Sequence, residues 1–415
     1  MTAPVNVKLY VGNGQSGVWT DPLNWTNGIV PGAADTALIT KSAVLNGAVT
    51  VGTLMLLGNE TVTVNGQITT LSTNTCESFM VCEQSTTTFE AGSSLSDAGG
   101  FEVGVDGVGA ASFLGAGNGK AAAVLNTAVM KIGQFDGGVG TLNVAGTSNV
   151  TGGGYIGLYG QGTLNVTGSG QANFAGLVLG GYTGGAGIVN LSGNAVVNAN
   201  LVAVGTSKAG APGGIGTANI AGHATLSASN TIMVNAGSAV NLTGGTMAAG
   251  TGGNGVQIAP GGTVSGYGTV MSASHGVTDN GSLASAGGTL VVNGNLSGMG
   301  SVQIGAGTTL DLVASKINVP SITFMGTSGT LDLTTGVGGT FAIDGFGSGD
   351  QIVMSGIDQA NWSGATHVLS LMEHGQVMDK LNLPGVSATA VFSVTPGASG
   401  SVIGLMPVMM GVVHH

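Results

Sequence analysis

The chain has 415 residues, 80 of them glycine, with 42% hydrophobic, 4% aromatic and 6% charged residues and a formal net charge of −11. Glycine without a three-residue period excludes collagen, an apolar fraction this high with so little charge excludes a disordered chain, and no stretch reaches the ~18 apolar residues of a membrane span. All 7 basic residues are lysine, so phosphates would find almost nothing to neutralise them, which argues against nucleic acid or an anionic membrane surface as partner.

The start, Met1 to Asn6, lacks the basic and apolar regions of a secretory signal peptide. Val5, Val7, Leu9 and Val11 alternate as one face of a strand. Two of the three tryptophans follow, in Gly17-Val18-Trp19-Thr20-Asp21-Pro22-Leu23-Asn24-Trp25, and then Pro31-Gly32-Ala33-Ala34-Asp35. Residues 1–60 therefore differ in kind from the rest and predict an N-terminal cap, because a stacked β structure must cover its first strand edge. An alternative use of Trp19 and Trp25 is as sugar-stacking rings; the cap is the preferred reading.

Cys76 and Cys82 stand six positions apart. Extended residues at that separation lie roughly 20 Å apart, so a disulfide would need a tight bend. The other reading is two small residues at the ends of one strand. Carboxylates concentrate nearby, at Glu60, Glu77, Glu83, Glu90, Asp97, Glu102, Asp106 and Asp136. Stacking would bring two of them within the ~5–10 Å that a glycoside hydrolase needs, or leave them as a solvated acidic strip.

From 61 to 316 the chain repeats itself. Gly140-Thr141-Leu142-Asn143-Val144-Ala145-Gly146 returns as Gly162-Thr163-Leu164-Asn165-Val166-Thr167-Gly168 and, more loosely, around Asn190, Asn219 and Asn241. These asparagines are 22, 25, 29 and 22 residues apart. Between them runs an apolar-apolar-Gly phrase, as in Tyr155-Ile156-Gly157, Val178-Leu179-Gly180 and Ala203-Val204-Gly205. Self-similarity at this period predicts a solenoid in which no repeat buries its apolar side alone. About three short strands fit each coil, and roughly ten coils at 4.8 Å would make a rod about 50 Å long. Asn143, Asn165, Asn190, Asn219 and Asn241 are expected to form a hydrogen-bonded ladder along the axis, the alternative being an outward row of polar tips. Phe135, Tyr159 and Tyr182 recur once per coil near one turn, either as a ladder of packed rings or as a column offered to pyranose faces.

The pattern changes from 317 to 415, where longer strands around Phe341-Ala342-Ile343-Asp344 and His367-Val368-Leu369-Ser370-Leu371 predict a closing β module. Asp344, Asp350 and Asp358 lie in or near a glycine-rich stretch; they are turn residues or, alternatively, ligands of a calcium ion, the one cofactor the sequence suggests. The chain finishes on an apolar tail from Ser401 to Val413, too short to span a bilayer, followed by His414 and His415. That tail is read as a strand added to a neighbouring copy, an export signal or a last core strand.

The Trp…Asn-Trp…Pro-Gly-Ala-Ala-Asp opening, the Gly-Thr-Leu-Asn-Val repeats and the Gly345-Phe346-Gly347-Ser348-Gly349-Asp350-Gln351-Ile352 module resemble secreted β-strand-repeat proteins of Gram-negative bacteria, which are similar to autotransporter passengers and large adhesins. The resemblance implies an all-β, right-handed parallel β-helix with distinct N- and C-terminal caps, located at the cell surface or outside the cell, with an export signal toward its C-terminus. Neither an autotransporter-type barrel nor a calcium-binding Gly-Gly-x-Gly-x-Asp array accompanies it. No carboxylate lies between Asp136 and Asp279, which removes the acid pair of a glycosidase from the central repeats. The expectation is a non-enzymatic extracellular structural protein that associates with its own copies into a fibre, layer or biofilm matrix. A monomeric carbohydrate-binding adhesin is the alternative, with extracellular polysaccharide as partner, and a polysaccharide-degrading enzyme stands behind both.

Overall fold

The computed structural model describes residues 6–14, 18–73, 78–208, 211–313, 316–333, 338–339 and 341–406. Among these the chain is all-β apart from two short 3-10 segments, Pro22–Asn24 and Thr26–Gly28. Two compact units divide it, residues 1–241 and 242–415.

In the first unit the strands fall into three parallel rows. One row runs through Ala43–Leu45, Thr61–Val64, Ser85–Phe89, Val108–Phe113, Val139–Val144, Gln161–Val166, Ala186–Leu191 and Ile215–Ala221. The long strands Ser94–Val103, Val124–Ile132, Thr147–Ile156, Gln171–Leu179, Val196–Val204 and Thr225–Val234 supply the other two. Their first halves extend a row begun by Ala48–Val51 and Gln67–Thr70. Their second halves extend a row begun by Asn6–Tyr10, Asp35–Ile39, Thr53–Leu56 and Phe79–Val81. Between the halves the register shifts, at Asp97/Gly100 for example, where the strand bends from one row into the next.

The repeated phrase pairs with itself: Gly140 lies opposite Gly162, then Gly187 and Gly216, and Asn143 opposite Asn165, Asn190 and Asn219. One sequence repeat is thus one coil of a solenoid-like stack. Alternation decides what each coil buries. Leu142, Val144, Leu164, Val166 and Val189 are fully enclosed, while Thr141, Asn143, Thr163 and Asn165 between them are only half-buried. Like therefore stacks on like along the core.

The apolar-apolar-Gly phrase ends the third row, and its glycine answers two constraints at once. Gly157 has φ +69°, and a Cβ there would lie 2.0 Å from the Ala186 carbonyl oxygen in the next coil. Only a residue without a side chain turns this corner while the neighbouring backbone stays at strand spacing.

The first strand of the third row is covered on its outer edge. The Leu9 amide donates to Thr26 Oγ1 at 3.2 Å and the Val11 amide to the Asn24 carbonyl at 2.8 Å. Trp25 is buried edge-to-face against both Tyr10 and Trp19, with ring centroids 5.3 and 4.6 Å away.

The second unit also stacks in parallel. One row runs through Gly255–Ile258, Val277–Asp279, Leu296–Ser297 and Lys316–Asn318. Another begins with Thr263–Ser272 and Ser282–Asn293, which bend as the long strands above do. It passes through Ser301–Ile304 and Ser321–Phe324 to Ala342–Asp344. The second half of Ser282–Asn293 leads through Thr309–Val313 and Thr330–Asp332 to Gln351–Met354. Parallel stacking hence continues past 316, the limit expected from the sequence, because the rows survive after the Gly-Thr-Leu-Asn-Val wording is lost. Antiparallel strands then take over. Ser401–Leu405 lies against Gln351–Met354 and pairs on its other edge with Phe392–Pro396, while Gln359–Ser363, Val368–Glu373 and Gln376–Asn382 form a meander.

Replacing Gly157 by alanine should lower stability by about 3 kcal/mol or more, since strain at positive φ adds to a backbone collision. At Gly137 the φ is +80°, but nothing lies within 4 Å of the place a Cβ would take, so alanine there should cost only about 1 kcal/mol. Urea denaturation of the two variants distinguishes coil contact from dihedral strain; equal losses would contradict the corner assignment.

Candidate functional site

The outward positions of the rows carry polar ladders. Asn143 donates from Nδ2 to Ser112 Oγ at 3.1 Å, and Asn165 to Asn143 Oδ1 at 2.8 Å. Asn190 continues to Asn165 at 2.8 Å, Asn219 to Asn190 at 2.7 Å, and Asn241 to Asn219 at 2.8 Å. Each amide uses its nitrogen on one coil and its oxygen on the next, so the two expected arrangements coincide: a ladder, and on the outer face. A second ladder on the neighbouring row joins Asn126, Asn149, Asn173 and Asn198 through bonds of 3.0 Å, and Ser227 caps it with a 2.6 Å bond to Asn198. Sequence reasoning overlooked this one, although its asparagines recur at 23, 24 and 25 residues.

Of the five rings considered for sugar binding, three are accessible. Phe135, Tyr159 and Tyr182 are 45%, 42% and 47% exposed at the turn that follows the third row. Tyr159 and Tyr182 stack with centroids 4.5 Å apart and planes 10° from parallel. Backbone bonds from Tyr159 to Gln134 and from Tyr182 to Leu158 hold successive turns one above another. Trp19 and Trp25 are instead enclosed, and each indole N–H is spent inside the protein, on the Pro31 carbonyl at 3.4 Å and the Trp19 carbonyl at 2.8 Å. A pyranose has no open face of either ring to lie against.

Four of the upstream carboxylates, Glu60, Glu83, Asp97 and Glu102, are drawn into separate contacts. Asp97, buried, accepts from Thr70 Oγ1 at 2.5 Å, from Thr127 Oγ1 at 2.6 Å and from the Ser78 hydroxyl. Glu102 is fully enclosed and pairs with Lys131 Nζ at 2.9 Å. With its amide turned to donate, Gln134 bonds both oxygens of the same carboxylate, at 3.0 and 2.6 Å. Glu60 accepts from Ser42 and Glu83 from the Gly58 amide. Cys82 lies beside this region as a buried thiol, pushed up to about 12 by burial and then by the charges of Asp106, Glu102 and Glu83, so it stays protonated. Cys76, its conceivable bridge partner, lies outside the described residues, as do Glu77, the chain beyond Met406, and His414 and His415.

The three aspartates considered for calcium have distinct surroundings. Asp350 is buried, and its two carboxylate oxygens accept from the Gly329 and Gly347 amides, each at 2.9 Å. Asp358 accepts from the His374 amide at 2.8 Å, and Asp344 sits at the end of Ala342–Asp344 opposite Thr323. Asp350 is thus engaged as a turn residue closing a glycine-rich loop.

Two further features were not foreseen. Phe79 and Phe101 occupy adjacent coils of the third row, Phe89 and Phe113 adjacent coils of the first, and the four rings meet inside the core, Phe89 stacking on Phe113 at 4.2 Å. In the second unit Asp279 is fully enclosed. Its Oδ1 accepts from the Gly281 amide at 2.9 Å, whereas Oδ2 has no hydrogen-bond partner among the described residues.

No protein-family model matches the chain, and no curated protein matches it in sequence. No helix among the described residues is long and apolar enough to cross a membrane.

Burial raises the Asp279 carboxyl to about 6, against an ordinary value near 4 in the unfolded chain. The folded state therefore holds its proton more tightly. The group is neutral in both states below about pH 4; stability falls as pH rises from there through 6, then levels off. Asp279→Asn should remove roughly 2 kcal/mol of that decline between pH 4 and pH 7. Urea midpoints of wild type and variant at both pH values test this, and parallel pH profiles would refute it.

Proposed function

We propose that the coils wind as a right-handed parallel β-helix and that the protein is an extracellular structural element whose copies associate into a fibre, layer or matrix. What carries this reading is the pair of neutral outer ladders, Asn143 to Asn241 and Asn126 to Ser227, which turn two faces of the stack into regular, uncharged surfaces. Charge at 6% of residues leaves little like-charge repulsion between copies. The carboxylate-free stretch from Asp136 to Asp279 makes hydrolysis by the repeats a poor alternative.

Negative-stain microscopy of purified protein at micromolar concentration is expected to reveal ordered assemblies. They should persist from about 0.1 M to about 1 M salt, a range over which the Debye length shrinks from ~10 to ~3 Å, because charge pairs would not be holding them. Isolated particles under every condition would reject the proposal.

The exposed Tyr159–Tyr182 stack favours a second reading, a surface adhesin that binds carbohydrate. On a glycan array, wild type should then bind at least one polysaccharide, and Tyr159→Ala should weaken binding about tenfold or more, the worth of one lost ring contact. Binding unchanged in the variant would dismiss the ring stack as the site.

A further inference from the structure

Asparagine followed by glycine recurs in the chain, at Asn27-Gly28, Asn280-Gly281 and Asn293-Gly294 among other places. In such a pair the glycine amide nitrogen, with no side chain beside it, has close access to the asparagine side-chain carbonyl. The three pairs differ in what holds that nitrogen. The Gly28 amide donates to the Trp25 carbonyl and the Gly294 amide to the Val313 carbonyl, each at 3.1 Å, and both acceptors are neutral. The Gly281 amide donates instead to a carboxylate, Asp279 Oδ1, at 2.9 Å.

The surroundings favour proton transfer to that carboxylate. Asp279 is fully enclosed, and its other oxygen has no hydrogen-bond partner among the described residues. A carboxylate so poorly solvated takes up a proton more readily than one in water. Asn280 itself is exposed, and its side-chain oxygen accepts from the Met299 amide of the following coil at 3.0 Å. A donor there stabilises negative charge that develops on the oxygen when Cγ is attacked. Backbone bonds pin the turn on both sides, from Asn280 to Ile258 at 2.8 Å, from Gly300 to Asp279 at 2.8 Å and from Ser301 to Gly281 at 2.9 Å. Coil packing also dictates the glycines. A Cβ at Gly281 would lie 2.4 Å from the Ala259 carbonyl oxygen, and one at Gly300 would lie 2.6 Å from Asp279 Oδ1.

From this geometry we infer that residues 279–281 form a self-modifying turn, in which the folded chain converts its own Asn280 to aspartate and isoaspartate. Asp279 takes the Gly281 N–H proton, and the nitrogen attacks Asn280 Cγ while the Met299 amide holds the oxygen. The Cγ–Nδ2 bond breaks, the proton passes to the leaving nitrogen, and ammonia departs from a cyclic imide. Water, which reaches this exposed residue, opens the imide at either carbonyl. One opening gives aspartate; the other routes the main chain through the side-chain carbon and gives isoaspartate. Either product places a second carboxylate beside Asp279. No step involves a second copy or a ligand other than water.

Peptide mapping by mass spectrometry of full-length protein, aged at neutral pH, tests the assignment, with isoaspartate read by enzymatic methylation. Asn280 should convert faster in the folded chain than in urea, whereas Asn27 and Asn293 should convert faster in urea. Asparagine at 279 can still accept the Gly281 bond but is no base, so Asp279→Asn keeps the turn and removes the proton acceptor. That variant should slow conversion at Asn280 by tenfold or more, a part of the ~100-fold that a positioned base typically contributes. Conversion at Asn27 and Asn293 should be unchanged. Slower conversion of Asn280 in the folded chain than in urea would overturn the inference. So would an equal slowing at all three asparagines in Asp279→Asn, which would mark a gain in fold stability and not the loss of a base. Cleavage between Asn280 and Gly281 would show that the side-chain nitrogen attacks the main chain, and Gly281 would lose its role as nucleophile.

Discussion

The rest of the structure depends on one contact, the backbone of each coil hydrogen-bonded to the coils before and after it. In a parallel row a strand has no partner within its own repeat. Thr163 and its neighbours are satisfied only because Val139–Val144 and Ala186–Leu191 lie on either side. Strand separation near 4.8 Å is therefore imposed everywhere at once, and every position in the repeat is selected for what fits at that distance from its own copy. Inside, Leu142, Leu164 and Val189 meet like-sized neighbours. Outside, asparagine spans the gap with a bond of about the right length and has both a donor and an acceptor to pass along. At the corner, Gly157 fits because it brings nothing into the gap.

That constraint explains how much could be read from the chain beforehand. The stack was legible because identical residues at matching positions leave a periodic wording, and the Gly-Thr-Leu-Asn-Val phrase gave its register residue by residue. The second ladder was missed because its asparagines sit in varied company: Leu125-Asn126-Thr127, Ser148-Asn149-Val150, Ala172-Asn173-Phe174. A search for single residues at 23 to 25 spacing, without demanding a phrase, would have found it. The extent of the parallel rows was also hidden. After 316 a strand needs only two or three alternating apolar residues to join a row, and Leu331 between Thr330 and Asp332 suffices where Leu310 precedes it and Ile352 follows. Alternation this short carries no period. The tryptophan pair was harder still, since a cap and a sugar platform call for the same residues; only the burial of the rings and the internal bonding of their N–H groups separate the two.

Low charge makes the few buried charges informative. Glu102 and Lys131 face each other across adjacent coils on positions that alternation assigns to the outside, yet both are covered. Such a pair gives little net stability, because desolvation offsets most of the attraction. What it supplies is discrimination: a register slip of one residue would leave a carboxylate and an ammonium buried without each other, a loss of several kcal/mol. In a repeat protein neighbouring coils resemble one another and slipped pairings are otherwise nearly isoenergetic. Asp97 works in the same way at the bend, where hydroxyls from Thr70, Ser78 and Thr127 belong to preceding and following coils. Two of the upstream carboxylates, Asp97 and Glu102, thus have a physical role in aligning the irregular early coils, which the later ones obtain from their asparagines.

The same contact that builds the stack also creates its hazard, since a parallel row ends in a strand whose outer groups would pair with any other strand. Two ends are visibly managed. Thr26 takes up the Leu9 amide within Asn6–Tyr10 and Asn24 the Val11 amide just after it, and Ser401–Leu405 lies antiparallel on Gln351–Met354. An antiparallel strand is an effective stop, because a further parallel coil cannot register on it with the same bonding pattern. Unlimited growth by edge pairing at these two strands is accordingly obstructed, so the association proposed above would have to use side-chain surfaces. Such surfaces differ in kind: the asparagine faces offer polar groups already bonded to each other, whereas a groove beside Val391 and Met406 offers apolar area that water leaves readily. That apolar concavity lies where the parallel rows have ended, at the closing module.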